Sequence, residues 1–67
     1  MFHEYDVVVA IKAIENVPIG TRGTILVLYY TENVVSDYEV EFMDADGESF
    51  GTFTVGEDEI ALLSSFK

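Results

Sequence analysis

Cysteine is absent from this chain, proline occurs once, and Lys and Arg together number three. Each shortage excludes something. Without cysteine there is no disulfide and no thiolate metal site, and nothing marks an oxidising compartment. Three bases cannot displace the counterions condensed on a nucleic-acid backbone, nor dock a protein on an anionic membrane. The only histidine, His3, lies near the start of the chain, with no serine or cysteine placed to form a nucleophile–base pair with it. We therefore expect no catalysis and no cofactor. Met1 to Asp6 carries acids where a secretion signal would carry bases, and the apolar run that follows, Val7 to Ile11, falls far short of the roughly 20 residues that span a bilayer. A cytoplasmic location is the expectation.

What is present is apolar and acidic. The 67 residues suffice for one domain, 1–67, and 49% of them are hydrophobic, nine being aromatic. That is ample for a core, although a chain this short buries only about 60% of the surface its unfolded form exposes. The formal charge is −10, unevenly distributed. Between Arg22 and Lys67 there is no base, yet ten acids lie there: Glu32, Asp37, Glu39, Glu41, Asp44, Asp46, Glu48, Glu57, Asp58 and Glu59. Such a surface favours solubility and steers basic partners toward the protein.

The periodicity is that of strands. Tyr5–Ile11 is β-branched and bounded by charge, with Val7, Val9 and Ile11 competing against Val8 and Ala10 for the buried face. Lys12–Asn16 allows a helical turn, which Val17-Pro18 ends. Gly20 and Gly23 bracket Thr21-Arg22 and predict a tight bend with positive φ. Thr24–Tyr30 follows as a strand apolar on both faces. Thr31–Asp37 reads as a loop or a frayed hairpin end.

The clearest strand is Tyr38–Met43, with Tyr38, Val40 and Phe42 on one face and Glu39 and Glu41 on the other. Asp44-Ala45-Asp46-Gly47 predicts a hairpin turn. Ser49–Val55 returns with Phe53 and Val55 toward the core, and Gly51 marks a bulge or sharp coil. A single helical turn over Gly56–Glu59 precedes a last strand, Ile60–Leu63. Four or five short strands with glycine at the corners predict an all-β small barrel or two orthogonally packed sheets.

Asp6, Val8, Pro18, Gly20, Gly23-Thr24-Ile25, Tyr38-Glu39-Val40-Glu41-Phe42 and Asp46-Gly47 together resemble SH3-like barrels of the KOW type. More closely, they resemble a family of short bacterial proteins known as domain of unknown function 4926. The resemblance runs from Phe2 to Leu63. It implies a five-stranded SH3-like barrel, with a short 3-10 turn before the last strand. It supplies no catalytic or ligand residues to transfer. KOW modules bind RNA or ribosomal and transcription proteins, so association with transcription or translation machinery is the alternative function. The basic surface that serves such modules on RNA is missing here.

Among candidate sites, Asp44-x-Asp46-Gly47-Glu48 resembles the start of a calcium loop but carries its glycine too early, so a hairpin turn is the better reading and no metal site is expected. Adjacent Tyr29 and Tyr30 point to opposite strand faces, one into the core and one partly exposed. With Tyr38, Glu39, Glu41, Asp44, Glu57 and Asp58 they form the candidate partner-binding set, aromatics beside carboxylates being suited to a cationic ligand. The expected function is a non-catalytic interaction module for a basic protein partner, as an accessory subunit or an antitoxin- or immunity-like protein. A monomer or weak homodimer is expected, pairing if at all through an edge strand.

Overall fold

A computed structural model describes residues 1–65. Five antiparallel strands form one sheet: β1 (Val7–Ala10), β2 (Arg22–Thr31), β3 (Val34–Met43), β4 (Ser49–Val55) and β5 (Ile60–Ser64). A 3-10 turn, Glu57–Glu59, joins β4 to β5. The order across the sheet is β4-β3-β2-β1-β5. The all-β, five-stranded architecture and the 3-10 turn before the last strand are as expected. The sheet is not closed, however: β4 and β5 stand at its two edges, and no ladder joins them among the described residues.

One face of the sheet is sealed. Val8 and Ala10 of β1, Ile25 of β2, Tyr38, Val40 and Phe42 of β3, Val55 of β4 and Ile60 of β5 form a single buried cluster. Ile14 and Val17 complete it from the β1–β2 connection, and Phe2, Leu28, Phe50 and Phe53 pack against its rim. Alternation thus settles the face of β1, because Val8 is fully buried while Val7 and Val9 are only half so.

Several local expectations are corrected. Lys12–Asn16 forms no helix. Ile14 and Val17 pair as an isolated bridge, bonded in both directions around a turn at Glu15-Asn16. Of the two readings of Thr31–Asp37, the hairpin end holds and the loop does not: β2 and β3 run on to a two-residue connection at Glu32-Asn33, both with positive φ (52° and 67°). That is the pattern of a type I′ turn, whose twist matches the flanking strands; the sequence hid it because the customary glycine is missing.

Gly20 has the predicted positive φ, 95°, but Gly23 does not; it is an ordinary strand residue of β2. Its lack of a side chain serves packing instead. A Cβ there would lie 2.6 Å from Val40 Cγ1 and 2.8 Å from Phe42 Cδ1. Gly51, at φ 105°, occupies the bend where the β3–β4 register shifts between Phe42 and Met43. Positive φ is open to glycine without the steric cost a Cβ would add.

Candidate functional site

Because side chains alternate, sealing one face of β3 commits Glu39 and Glu41 to the other. The ladders then select their neighbours. Glu39 pairs with Val27 on β2 and Thr54 on β4, and Glu41 pairs with Thr24 and Thr52. The Tyr29 hydroxyl donates to Glu39 Oε1 at 3.2 Å, and the Thr54 hydroxyl donates to the same oxygen at 3.0 Å. Glu41 Oε2 accepts from the Ser49 hydroxyl at 3.0 Å. The result is a carboxylate row along the outer face, oriented by hydroxyls and flanked by an aromatic ring.

These contacts shift protonation. Hydrogen bonding from Thr52, with Thr54 and Tyr29, holds the Glu39 carboxyl below its ordinary range, against the opposing effect of partial burial. Tyr29 moves the opposite way: burial raises its phenol, and the hydrogen bond to Glu39 and the charge of that carboxylate raise it further. A depressed folded-state pKa contributes stability above the unfolded value and loses it as pH falls through the folded one. The Glu39 contribution is therefore intact at neutral pH and lost below about pH 4.5, the ordinary value. Glu39→Gln should narrow the gap between urea midpoints measured at neutral pH and at about pH 3. An unchanged gap would show that these hydrogen bonds do not favour the carboxylate.

The remaining predicted site residues separate. Tyr30 is 61% exposed at the far end of β2, and Tyr29 is 40% exposed, so neither enters the core. The expectation that one of them would be buried fails because the β2–β3 hairpin shifts register between them and continues to an exposed tip at Val34. Tyr38 belongs to the core, not to the surface patch, with no exposed area. Its hydroxyl accepts the Phe2 N–H at 3.1 Å, and its ring meets Phe2 edge-on at 5.4 Å.

Asp44 works within the β3–β4 turn, where Oδ1 accepts the N–H groups of Asp46 and Glu48, each at 2.9 Å. This is a local side-chain cap of the turn, as short polar residues commonly provide. Glu57 and Asp58 lie in the 3-10 turn, which follows the end of β4 paired with Tyr38. Asp44 follows the other end of β3, about 20 Å away along the strand. Glu57 Oε2 is 3.0 Å from the Met1 amine, and Lys12 Nζ donates to Asp58 Oδ2 at 3.1 Å, which holds the Asp58 carboxyl below its ordinary range. The predicted set is thus one coherent group, Tyr29, Glu39 and Glu41, with Tyr30 exposed apart from it and Tyr38, Asp44, Glu57 and Asp58 engaged in structural contacts elsewhere.

A second feature was missed in the sequence. The Pro18–Arg22 corner and the β3–β4 turn border an open cleft of about 720 Å³, with Ile19, Arg22, Met43 and Phe50 among its walls. The corner reads from sequence as a bend alone, because the turn that faces it comes more than twenty residues later. Among the described residues, no three His, Asp or Glu side chains are grouped to hold a metal ion, and no helix is long and apolar enough to cross a membrane.

No curated protein and no solved structure matches the chain significantly. A family signature does match, over residues 4–62, and so takes in all of β1 to β4, the 3-10 turn and most of β5. On that coverage the chain belongs to the family described as domain of unknown function (DUF4926).

Proposed function

We propose that this chain is a non-catalytic interaction module of the bacterial cytoplasm, whose outer sheet face binds a basic protein partner. The observation that carries the reading is the grouping of Glu39 and Glu41 along β3, with Tyr29 bonded to Glu39, on the face opposite the core. Carboxylates and an aromatic on one surface attract lysine and arginine by charge and by cation–π contact. The wider field, −10 over 67 residues, raises the encounter rate with such a partner. The strand order and the 3-10 turn before β5 support an SH3-like description of the fold. An accessory subunit, or an antitoxin- or immunity-like protein neutralising a basic toxin, fits this chemistry by analogy.

Capture of binding proteins at about 0.1 M and about 1 M salt tests the reading, since the Debye length falls from about 10 Å to about 3 Å between them. The expected result is capture of basic proteins at the lower salt, lost at the higher and lost with Glu39→Lys/Glu41→Lys. A partner retained equally at high salt would contradict a charge-driven interface. Thermal unfolding of the variant provides the control, because both glutamates are only half-buried and face away from the core, so their reversal should leave the fold intact.

A further inference from the structure

We infer that the basic partner presents an amphipathic helix, laid on the outer face along β2 with its apolar stripe on β1 and its basic flank on β3. This rests on the basic-partner reading above and specifies the occupant. The first observation is a breach of alternation. An antiparallel sheet with one wet face should carry polar side chains there, as β4 does with Thr52 and Thr54 and β3 with Glu39 and Glu41. β1 instead turns Val7 and Val9 outward, since Val8 and Ala10 face the core. Val9 pairs with Ala61 of β5, and Val27 extends the apolar band on β2, 41% exposed.

Register places the carboxylates at a fixed offset from this band. Val7 pairs with Thr24, which pairs with Glu41; Val27 pairs with Glu39 directly. β1 and β3 are two strand spacings apart, about 9.5 Å, close to the roughly 10 Å diameter of a helix. A helix over β2 would touch the valines with one side and reach the glutamates with the other. Arg22, which pairs with Val9 and Met43, ends the band at one side, so the occupant's lysines and arginines belong toward Glu41 and Glu39.

Two other occupants fit less well. A second copy would bring the same glutamates and a second charge of −10 to the interface. An added strand would bind at β4 or β5, the sheet edges, whereas β3 is internal and offers no free backbone.

The test is an anisotropy titration of the full chain with two labelled peptides of about 18 residues, five helical turns. Both contain the same leucines and lysines, one with leucine at i, i+3, i+4 and i+7, the other scrambled. The patterned peptide is expected to bind at least about tenfold more tightly, equivalent to burying roughly two methylene groups. Val7→Thr/Val9→Thr keeps β-branched shape and should erase that advantage while leaving the scrambled peptide's affinity unchanged. Glu39→Gln/Glu41→Gln should weaken both peptides. Equal binding of the two peptides to the unmodified protein would overturn the helix inference and leave the basic-partner reading standing. Failure of both to bind at low salt would overturn that reading, and this inference with it.

Discussion

Replacing Gly23 with valine is expected to destabilise the protein by about 3 kcal/mol or more, a large fraction of its total stability. The residue lies in the middle of the sheet, paired with Val8 on one side and Phe42 on the other. A Cβ at this position would stand 2.6 Å from Val40 and 2.8 Å from Phe42, both fully buried and neither the free end of a flexible chain. To admit it, β2 must move away from β3 or two core side chains must leave their rotamers. Overpacking of this kind costs about 1–3 kcal/mol, occasionally more.

Valine adds two further methyl groups beyond the Cβ, placing it at or above the top of that range. Total stability for a chain of this size is on the order of 3–10 kcal/mol. Gly23→Ala isolates the first contact and should lower the urea midpoint measurably on its own. Gly20→Ala makes the useful comparison, since the space around it is open and its φ of 95° is the only obstacle. Were Gly23→Ala as stable as the natural protein, the close approach of β2 to β3 would be disproved.

Truncating Tyr38 to alanine should cost about 3–5 kcal/mol, the usual range for removing a fully buried large aromatic ring. Its ring closes one end of the core against Phe2, at 5.4 Å and 72°, and its hydroxyl accepts the Phe2 N–H. Burial raises its phenol above the ordinary value; the Phe2 N–H lowers it, and Glu57 raises it by charge and hydrogen bond. The neutral form is the one the fold prefers, so this contribution is intact below about pH 10 and lost as pH rises through the folded-state value.

Tyr38→Phe keeps the ring and forfeits only the hydroxyl, for about 0.5–1.5 kcal/mol. Chemical denaturation of the two variants at neutral pH separates these terms. A Tyr38→Ala protein with nearly natural stability would mean that the ring is not part of the core. The same pair guards the binding experiments: lost binding in Tyr38→Ala would report unfolding, whereas Tyr38→Phe should bind a basic partner normally.

Much of the fold was legible along the chain wherever local chemistry and the core agreed. Tyr38–Met43 alternates so cleanly that its buried face could be read directly, and Ser49–Val55 is found with the bounds its residues imply. The Asp44–Gly47 turn and the positive φ of Gly20 followed from short-range sterics. Reading failed where the cause was distant. Gly23 looks like a turn residue because glycine is needed there, but the need comes from Val40 and Phe42, seventeen or more positions later. Glu32-Asn33 looks like part of a loop because type I′ turns are recognised by glycine, and here two other residues adopt the left-handed conformation.

The candidate site divides in the same way. That Glu39 and Glu41 share a face, and that a long acidic stretch lacks any base, follows from order and composition alone. Period-two alternation and net charge are properties of the chain before it pairs with anything. That Tyr29 bonds to Glu39, that Tyr38 withdraws into the core, and that Val7 and Val9 lie on the same outer face as the glutamates were decided by strand order and register. Those depend on which strands meet and at what offset, and a one-residue slip would turn every one of these side chains to the opposite face.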